Sequence, residues 1–410
     1  MMNRTPTGTT GLNEAHLKDA LQKALFEIAA YDRYDKILNR NVSIFTGITG
    51  MSLLYYHLYL HTGNKDYYEK SLSYFEQSFN LLNPQKVNFS FGATGVMWLL
   101  NYFKQHRAFD LDFEEYLAPF DEVVFNRLEE FSDDIDPIHG LLGFANYFLE
   151  RDTPCAEKAL HKILTFIDQC KTQEKGGIAW RNNTPDPETG SAYHINFGYA
   201  HGVLSVIYFL CRFIHKKINP TKSARLCRQA LDYFLSHRDP AHITHFPSLI
   251  DETGRKHSYR IAYCYGDLGV ACGLTNIGRL LNDRPLLQIA RSTALNIAAF
   301  SLKMKENIND VGLCHGAGGN GYMFFQLYRH HKSEILKAAA LNQYERLLAL
   351  KKQESGIAGF MAMDYDAAQN ISFLKADPGF LTGTAGIGLS IMSFLDRGKN
   401  SSWDKLLLLS

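Results

Sequence analysis

The chain has 410 residues, of which 46% are hydrophobic and 21% charged, proportions that are ordinary for a globular protein. The formal net charge is +1, from 43 basic against 42 acidic residues, which excludes a long-range field that would recruit nucleic acid or an anionic membrane. Residues 1–13 are polar and lack an apolar signal-peptide core, and the longest apolar run, residues 203–211, is too short to span a bilayer. We therefore expect a cytoplasmic protein with no nucleic-acid partner and no membrane insertion.

The seven cysteines are spread through the chain. Because their number is odd and no secretory signal precedes them, a disulfide framework is not expected. Cys211 and Cys272 lie in apolar helical patterns and are expected to be small core residues. Cys264 and Cys314 belong to a repeated motif, so they are candidates for a functional role.

The repeated motif is a glycine, two further residues, a second glycine and then an apolar stretch typical of a helix. It recurs seven times, with first glycines separated by 45, 48, 62, 64, 50 and 67 residues, enough for two helices each. In the fourth copy, serine replaces the second glycine. The copies begin at Gly47, Gly92, Gly140, Gly202, Gly266, Gly316 and Gly383.

The elements that this pattern predicts alternate along the chain. Strongly apolar helices, buried on most sides, are expected at 51–60, 96–103, 144–149, 203–214, 270–281, 322–328 and 387–395. Amphipathic helices with one solvent-exposed face are expected between them, for example at 67–82, 155–170, 221–237 and 285–302. Short β-ribbons are expected at 177–181, at 245–250 with a turn at 251–254, and at 359–364.

This alternation predicts an all-α fold, a closed α/α toroid (barrel) of seven inner and seven outer helices with short β-ribbons in its rim loops. An open solenoid would need polar capping repeats, and neither end of the chain resembles one. Closure also accounts for a single domain over residues 1–410 without a linker. The glycines are expected where inner helix ends crowd around one axis, so the loops entering the seven inner helices should meet at one rim.

Two cysteines and a histidine fall in register within these loops. Cys264 and Cys314 each lie two residues before the first glycine of their repeat, and His315 lies one before. Equivalent places on neighbouring helix ends allow the three side chains to surround one ion. Thiolate and imidazole ligands favour zinc, and two Cys with one His leave a fourth position for water or substrate. We expect one Zn²⁺ per chain; the alternative is two buried thiols and a capping histidine.

Further polar residues share this rim. His201 and His139 also lie one residue before the first glycine of their repeats, and Tyr265 occupies that place after Cys264. His201 is a candidate general acid or base, whereas a structural role for His139 stays open. Asp136 and Arg260 lie four residues before Gly140 and Cys264 respectively, and are either solvated charges or groups that orient a histidine or stabilise negative charge.

At these residues the chain resembles the lanthionine synthetase C-like family. The matching stretches are residues 136–140, 196–202, 260–266, 313–316 and 381–388, which come in family order. The resemblance implies an α/α barrel, zinc held by Cys264, Cys314 and His315, and His201, Tyr265, Asp136 and Arg260 as active-site residues. The chain departs from the family at Tyr263, where tryptophan is usual, and at Ser205, where glycine is usual. The 48-residue interval after Gly92 leaves no room for the inserted domain of some bacterial members.

The resemblance implies a zinc-dependent cyclase of the class I lanthipeptide type. Such an enzyme adds cysteine thiols of a dehydrated precursor peptide to dehydroalanine or dehydrobutyrine in the same peptide, forming thioether rings. His201 would supply a proton to the α-carbon or accept the thiol proton, and Arg260 would stabilise the enolate. The expected partners are the precursor peptide and, in a biosynthetic complex, a dehydratase and an exporter.

Three alternatives stay open at the level of sequence. The same zinc could activate glutathione for addition to dehydroamino acids in proteins, as eukaryotic relatives of the family suggest. A peptide-binding scaffold with a structural zinc would consume no thiol. An α/α-barrel glycosidase would need two catalytic carboxylates at the rim, where Asp136 and Asp267 are the evident acids.

Overall fold

The computed structural model describes residues 13–38, 40–109, 112–182, 190–258, 261–304, 309–352, 354–366 and 371–410. Its mostly helical architecture confirms the predicted class. No helix within these ranges has the length and apolar character needed to cross a membrane. The α-helices are α1 (Glu14–Ala30), α2 (Tyr34–Leu38), α3 (Ile48–Thr62), α4 (Lys65–Asn80), α5 (Ala93–Gln105), α6 (Glu114–Arg127), α7 (Leu141–Leu149), α8 (Pro154–Cys170), α9 (Val203–His215), α10 (Pro220–Ser236), α11 (Asp267–Leu280), α12 (Arg284–Lys303), α13 (Ala317–His331), α14 (Glu334–Leu350) and α15 (Thr384–Leu395).

An inner set of helices begins directly after the first glycine of each motif. It comprises α3, α5, α7, α9, α11, α13 and α15, and most of their residues are buried. Burial on every side is the physical reason why their sequences are apolar all round rather than striped. Each of these helices packs against the next in chain order, and α15 packs against α3.

The amphipathic helices pack outside this set. Each of α4, α6, α8, α10, α12 and α14 contacts the inner helix that precedes it in the chain. The helices α4, α8, α10 and α12 overlap the predicted amphipathic segments closely. The outer helix that packs against α15 is α1, which comes from the opposite end of the chain. Helix α1 also contacts α14. The motif spacing did not predict this pairing, because α1 precedes the first glycine pair.

The first glycines of the first and third motifs are required by their own loops. The N–H of Ile48 donates to the carbonyl of Asn41, 2.8 Å away, and a Cβ on the intervening Gly47 would lie 2.0 Å from that carbonyl oxygen. A Cβ on Gly140 would likewise lie 2.2 Å from the Asp134 carbonyl oxygen. The predicted close approach is therefore present, but at these positions the crowding group is the loop carbonyl six residues earlier, not a neighbouring helix end.

Backbone hydrogen bonds join consecutive rim loops. The N–H of Tyr263 donates to the Cys314 carbonyl, that of Leu313 donates to the Leu381 carbonyl, and that of Leu381 donates to the Phe45 carbonyl, each at 2.9 Å. These bonds run from the fifth loop to the seventh and then return to the first. They join the backbone around Cys264 and Cys314, the two motif cysteines, to the neighbouring loops.

Three small sheets lie in the loops that enter inner helices. The strands are β1 (Thr172–Glu174), β2 (Gly177–Ala179), β3 (His194–Asn196), β4 (Leu249–Asp251), β5 (Lys256–His257), β6 (Ala362–Asp366) and β7 (Ile371–Lys375). All pairings are antiparallel, with β1–β2 and β6–β7 as two-stranded ribbons and β3–β4–β5 as a three-stranded sheet. The predicted ribbon positions coincide with β2, β4 with its turn, and β6, although β4 and β6 begin three or four residues late.

The C-terminal segment packs against the inner helices. A 3₁₀ helix spans Ser402–Leu407, and a second one, Leu128–Phe131, follows α6. Residues 406–409 are buried. The Leu408 carbonyl accepts hydrogen bonds from the Tyr199 hydroxyl and from Asn276 Nδ2, the latter at 3.1 Å.

Candidate metal centre and active site

The structure brings the three predicted zinc ligands together. Ligand atoms of Cys264, Cys314 and His315 all lie within 4.8 Å of one another, and no other such group occurs in the part of the chain that is described. Both cysteines are buried, whereas 22% of the His315 side chain is exposed. Two thiols and an imidazole at this spacing are a donor set suited to a tetrahedral zinc, with one side open to solvent.

His201 is held by a carboxylate. Its Nδ1 atom lies 2.6 Å from Oδ2 of Asp136, and Oδ1 of Asp136 accepts the backbone N–H groups of Ile138 (2.7 Å) and His139 (2.9 Å). Burial by itself lowers the pKa of His201, but the Asp136 charge outweighs burial and raises that pKa above its ordinary value. Burial likewise raises the pKa of Asp136, and His201 outweighs it and lowers that pKa. The pair therefore favours a charged imidazolium at a partly exposed position.

The loop that carries His201 rests directly on the loop that carries Cys264. A Cβ on Gly198 would lie only 1.9 Å from the Cys264 carbonyl oxygen, so only glycine permits this approach. The Gly198 N–H donates to Oδ1 of the buried Asn196 at 2.7 Å, which fixes the turn. This contact places the His–Asp pair beside the metal-ligand cluster.

Aromatic rings at equivalent positions of four successive loops form a continuous arc. The ring of His139 is nearly parallel to those of Phe91 and His201, with centroids 5.6 Å and 6.1 Å away. His201 in turn lies 6.4 Å from the ring of Tyr265, which neighbours Cys264. His139 is thus a member of this aromatic arc rather than an isolated surface residue, a feature that its sequence did not show.

A cavity of about 470 Å³ opens beside His201 and Asp136. Arg181 and Asn182, which follow β2, line it, and Asn182 Nδ2 lies 3.5 Å from the His201 carbonyl. The Arg181 guanidinium lies 4.9 Å from the ring of Tyr193. The sequence predicts a ribbon at residues 177–181, but no motif distinguishes Arg181 or Asn182 as functional.

Arg260 lies outside the described residues. Tyr263, the departure from the family pattern, is buried, and its ring centroid lies 6.1 Å from that of Tyr199. Asp267 is fully buried at the start of α11, where its carboxylate accepts the N–H of Phe246 at 3.2 Å, so its role is to anchor a loop.

The fold and the site define a mostly helical protein whose rim loops carry a Cys, Cys, His set beside an Asp–His pair. The chain belongs to the lanthionine synthetase C-like protein family, whose model matches residues 39–408. It is 22% identical over 316 residues to "Glutathione S-transferase LANCL1" of Danio rerio, covering 71% of this chain and 70% of that protein. Among solved structures it is similar to "Nisin cyclase", with a TM-score of 0.71, 18% identity and coverage of 97% and 98% of the two chains.

Proposed function

We propose that this protein is a zinc-dependent lanthipeptide cyclase, built as one domain on a closed toroid of seven inner and seven outer helices. The observation that carries the proposal is the convergence of Cys264, Cys314 and His315 beside the Asp136–His201 pair. Family membership and the likeness to nisin cyclase support the same reading. The ring of inner-helix contacts that returns from α15 to α3 supports closure.

The reaction needs a thiolate and a proton donor. When bound, zinc lowers the pKa of a substrate cysteine thiol, so that its sulfur becomes nucleophilic near neutral pH. The sulfur forms a bond to the β-carbon of dehydroalanine or dehydrobutyrine, and the π electrons move toward the neighbouring carbonyl as an enolate. His201 donates a proton to the α-carbon, because Asp136 favours its protonated form. The proton lost by the thiol passes to solvent, and His201 regains a proton from solvent, so the cyclised peptide has the same atoms as the dehydrated one.

The rim surface fits a peptide substrate. Of the eleven large hydrophobic side chains that are exposed among the described residues, seven lie in the loops entering the inner helices. They provide apolar contacts around the site for an extended chain, beyond what a small thiol requires. These seven are Phe91, Ile243, Met304, Tyr365, Ile371, Phe373 and Leu374.

Two further parts of the proposal concern its setting. The enzyme acts in the cytoplasm on a dehydrated precursor peptide, with a dehydratase and an exporter as partners in a biosynthetic complex. An alternative activity is the addition of glutathione to dehydroamino acids in proteins, which is favoured by the likeness to a glutathione S-transferase of Danio rerio. A peptide-binding scaffold with structural zinc is the non-catalytic alternative.

Zinc content and peptide cyclisation test the proposal together. The parent should hold one zinc per chain and consume free thiols of a dehydrated peptide at unchanged peptide mass. Cys314→Ala should lose both properties, whereas Cys272→Ala, a buried thiol in α11 outside the cluster, should keep both. A mass gain of one glutathione would favour the alternative enzyme. Bound zinc without any thiol consumption would favour the scaffold.

His201→Ala separates chemistry from metal binding. The variant should retain zinc, because His201 is not among the three ligands, and should lose about 10²–10⁴-fold in rate as expected for a general acid. Full turnover in this variant would eliminate the proton-donor role.

A further inference from the structure

Asp310 occupies an unusual place beside the metal-ligand cluster. It lies in the loop before α13, six residues before Gly316, and is only 5% exposed. Its Oδ1 atom accepts the backbone N–H of Met363 in β6 at 2.9 Å. Its Oδ2 atom lies 3.2 Å from Nε2 of His315 and has no aligned hydrogen bond within the described residues. From this geometry we infer that Asp310 is a positioning residue for the zinc ligand His315, and that the β6–β7 ribbon holds it in place.

The physical reason lies in the cost of a buried carboxylate oxygen without a donor. Removing such an oxygen from water without a hydrogen bond is unfavourable, and Nε2 of His315 is the ring nitrogen beside it. A neutral imidazole carries one N–H. If that proton is on Nε2, it lies on the side of Asp310, where a rotation of the ring would align it with Oδ2, and Nδ1 keeps the lone pair that a metal requires. Asp310 thus selects the tautomer and ring orientation that bind zinc, as carboxylates behind ligating histidines do.

The β6–β7 ribbon holds the second oxygen of the Asp310 carboxylate. Met363 lies opposite Leu374 in the β6–β7 register, and its N–H donates to Asp310. That bond leaves the carboxylate with one oxygen toward the ribbon and one toward His315. The side chain of Asp310→Asn has one acceptor oxygen and one donor NH₂ group. It can therefore accept a hydrogen bond from Met363 N–H or from His315 Nε2–H, but not from both.

The next repeat contains a matched control. Asp377 lies six residues before Gly383, as Asp310 does before Gly316, and is also 5% exposed. Its oxygens accept the N–H of Gly379 at 2.7 Å and the hydroxyl of Thr382 at 2.6 Å. Substituting Asp377 therefore removes comparable carboxylate hydrogen bonds from an equivalent loop, which carries none of the three metal ligands.

The test measures zinc affinity of the full chain by competition with a chromogenic chelator, without any peptide. Asp310→Asn should weaken zinc binding about 10- to 100-fold, the range seen when such outer partners are removed. Asp377→Asn should weaken zinc binding much less, because its loop carries no ligand and meets the cluster through the backbone N–H groups of Leu313 and Cys314. In cobalt-substituted protein, the visible absorption bands should shift for Asp310→Asn alone, because they report ligand geometry rather than stability. Parent-like zinc affinity in Asp310→Asn, or an equal loss in Asp377→Asn, would overturn the inference.

A second pair of variants tests the ribbon and does not alter the carboxylate. Met363→Pro removes the N–H that Asp310 accepts and should weaken zinc binding, by less than Asp310→Asn does. Tyr365→Pro is its control, since the Tyr365 N–H donates to Asp364 at 2.8 Å and not to Asp310. Equal zinc affinities in the two proline variants would refute the role of the ribbon.

The inference rests on the zinc site of the proposed function, and the outcomes separate the two. A parent that binds zinc but does not cyclise peptide contradicts the proposed reaction and leaves the role of Asp310 intact. Unchanged affinity in Asp310→Asn contradicts only the role of Asp310. A parent that binds no zinc contradicts both.

Discussion

Replacing Asp136 by asparagine removes the charge beside His201 while preserving the size of the side chain. The parent carboxylate lies 2.6 Å from Nδ1 of His201 and also accepts two backbone N–H groups. A hydrogen bond to a charged group contributes about 1.5–3 kcal/mol. Because about 1.4 kcal/mol corresponds to a tenfold change in rate, we expect kcat/KM to fall about 10- to 150-fold in Asp136→Asn. Zinc content should stay at one per chain.

The pH profile of the same variant tests the cause. In the parent, Asp136 raises the pKa of His201, so a protonated donor persists toward alkaline pH. In Asp136→Asn the negative charge that offsets the pKa-lowering effect of burial on His201 is absent. The pKa of His201 should therefore fall, and the alkaline limb of the cyclisation rate should move to lower pH. Asp133→Asn, an exposed carboxylate in the same cavity, is the control and should leave that limb in place. An unmoved limb in Asp136→Asn, or an unchanged rate, would refute the reasoning.

Stability provides an independent measurement of the same pair. His201 has a raised folded pKa, so its contribution is complete below its ordinary value of 6.5 and is lost as pH rises through the folded pKa. Asp136 has a lowered folded pKa, so its contribution is complete above its ordinary value of 3.8 and is lost as pH falls through the folded pKa. The urea-unfolding difference between parent and Asp136→Asn should therefore be larger at pH 5.5 than well above neutrality. A difference that does not change with pH would contradict the ion pair.

Three other substitutions follow from the packing. Gly198→Ala should cost about 1–3 kcal/mol of unfolding free energy and reduce turnover, because its Cβ would lie 1.9 Å from the Cys264 carbonyl; parent-like stability and rate would show that the loops can separate freely. Gly266→Ala should cost about 1–3 kcal/mol, since Gly266 has φ of 118°, and denaturant unfolding measures it. Arg151→Met should cost about 3–5 kcal/mol, because it leaves the buried Asp121 carboxylate without its 2.8 Å partner; adding Asp121→Asn should recover part of that loss, and no recovery would argue against the ion pair.

Several features of this protein could be predicted from local sequence patterns. The glycine pairs mark where each inner helix begins, although six of the seven helices start three to five residues before the apolar stretches predicted for them, because the residue after the first glycine is already helical. The common register of Cys264 and Cys314 was enough to expect the metal-ligand cluster. Burial of Cys211 and Cys272 was predicted from the apolar helices that contain them, and the structure confirms it. These predictions succeed because a short repeat imposes the same local geometry each time.

Other features depend on residues that the repeat does not mark. Asp310 and Met363 are 53 positions apart, and neither belongs to a recognisable motif. Arg181 lines the cavity only because the β1–β2 ribbon folds beside the rim. Arg260 was predicted as an active-site residue and lies outside the described residues, so its role stays a prediction.

The sequence by itself determined the helical class, the places where inner helices begin and the register of the candidate ligands, because these depend on residues close together in the chain. Only the tertiary structure decided that α1 packs against α15, that His139 stacks between Phe91 and His201, and that a buried carboxylate stands behind His315. These contacts join distant segments. Their distances are set by how the rim loops pack around the axis, which no single repeat specifies.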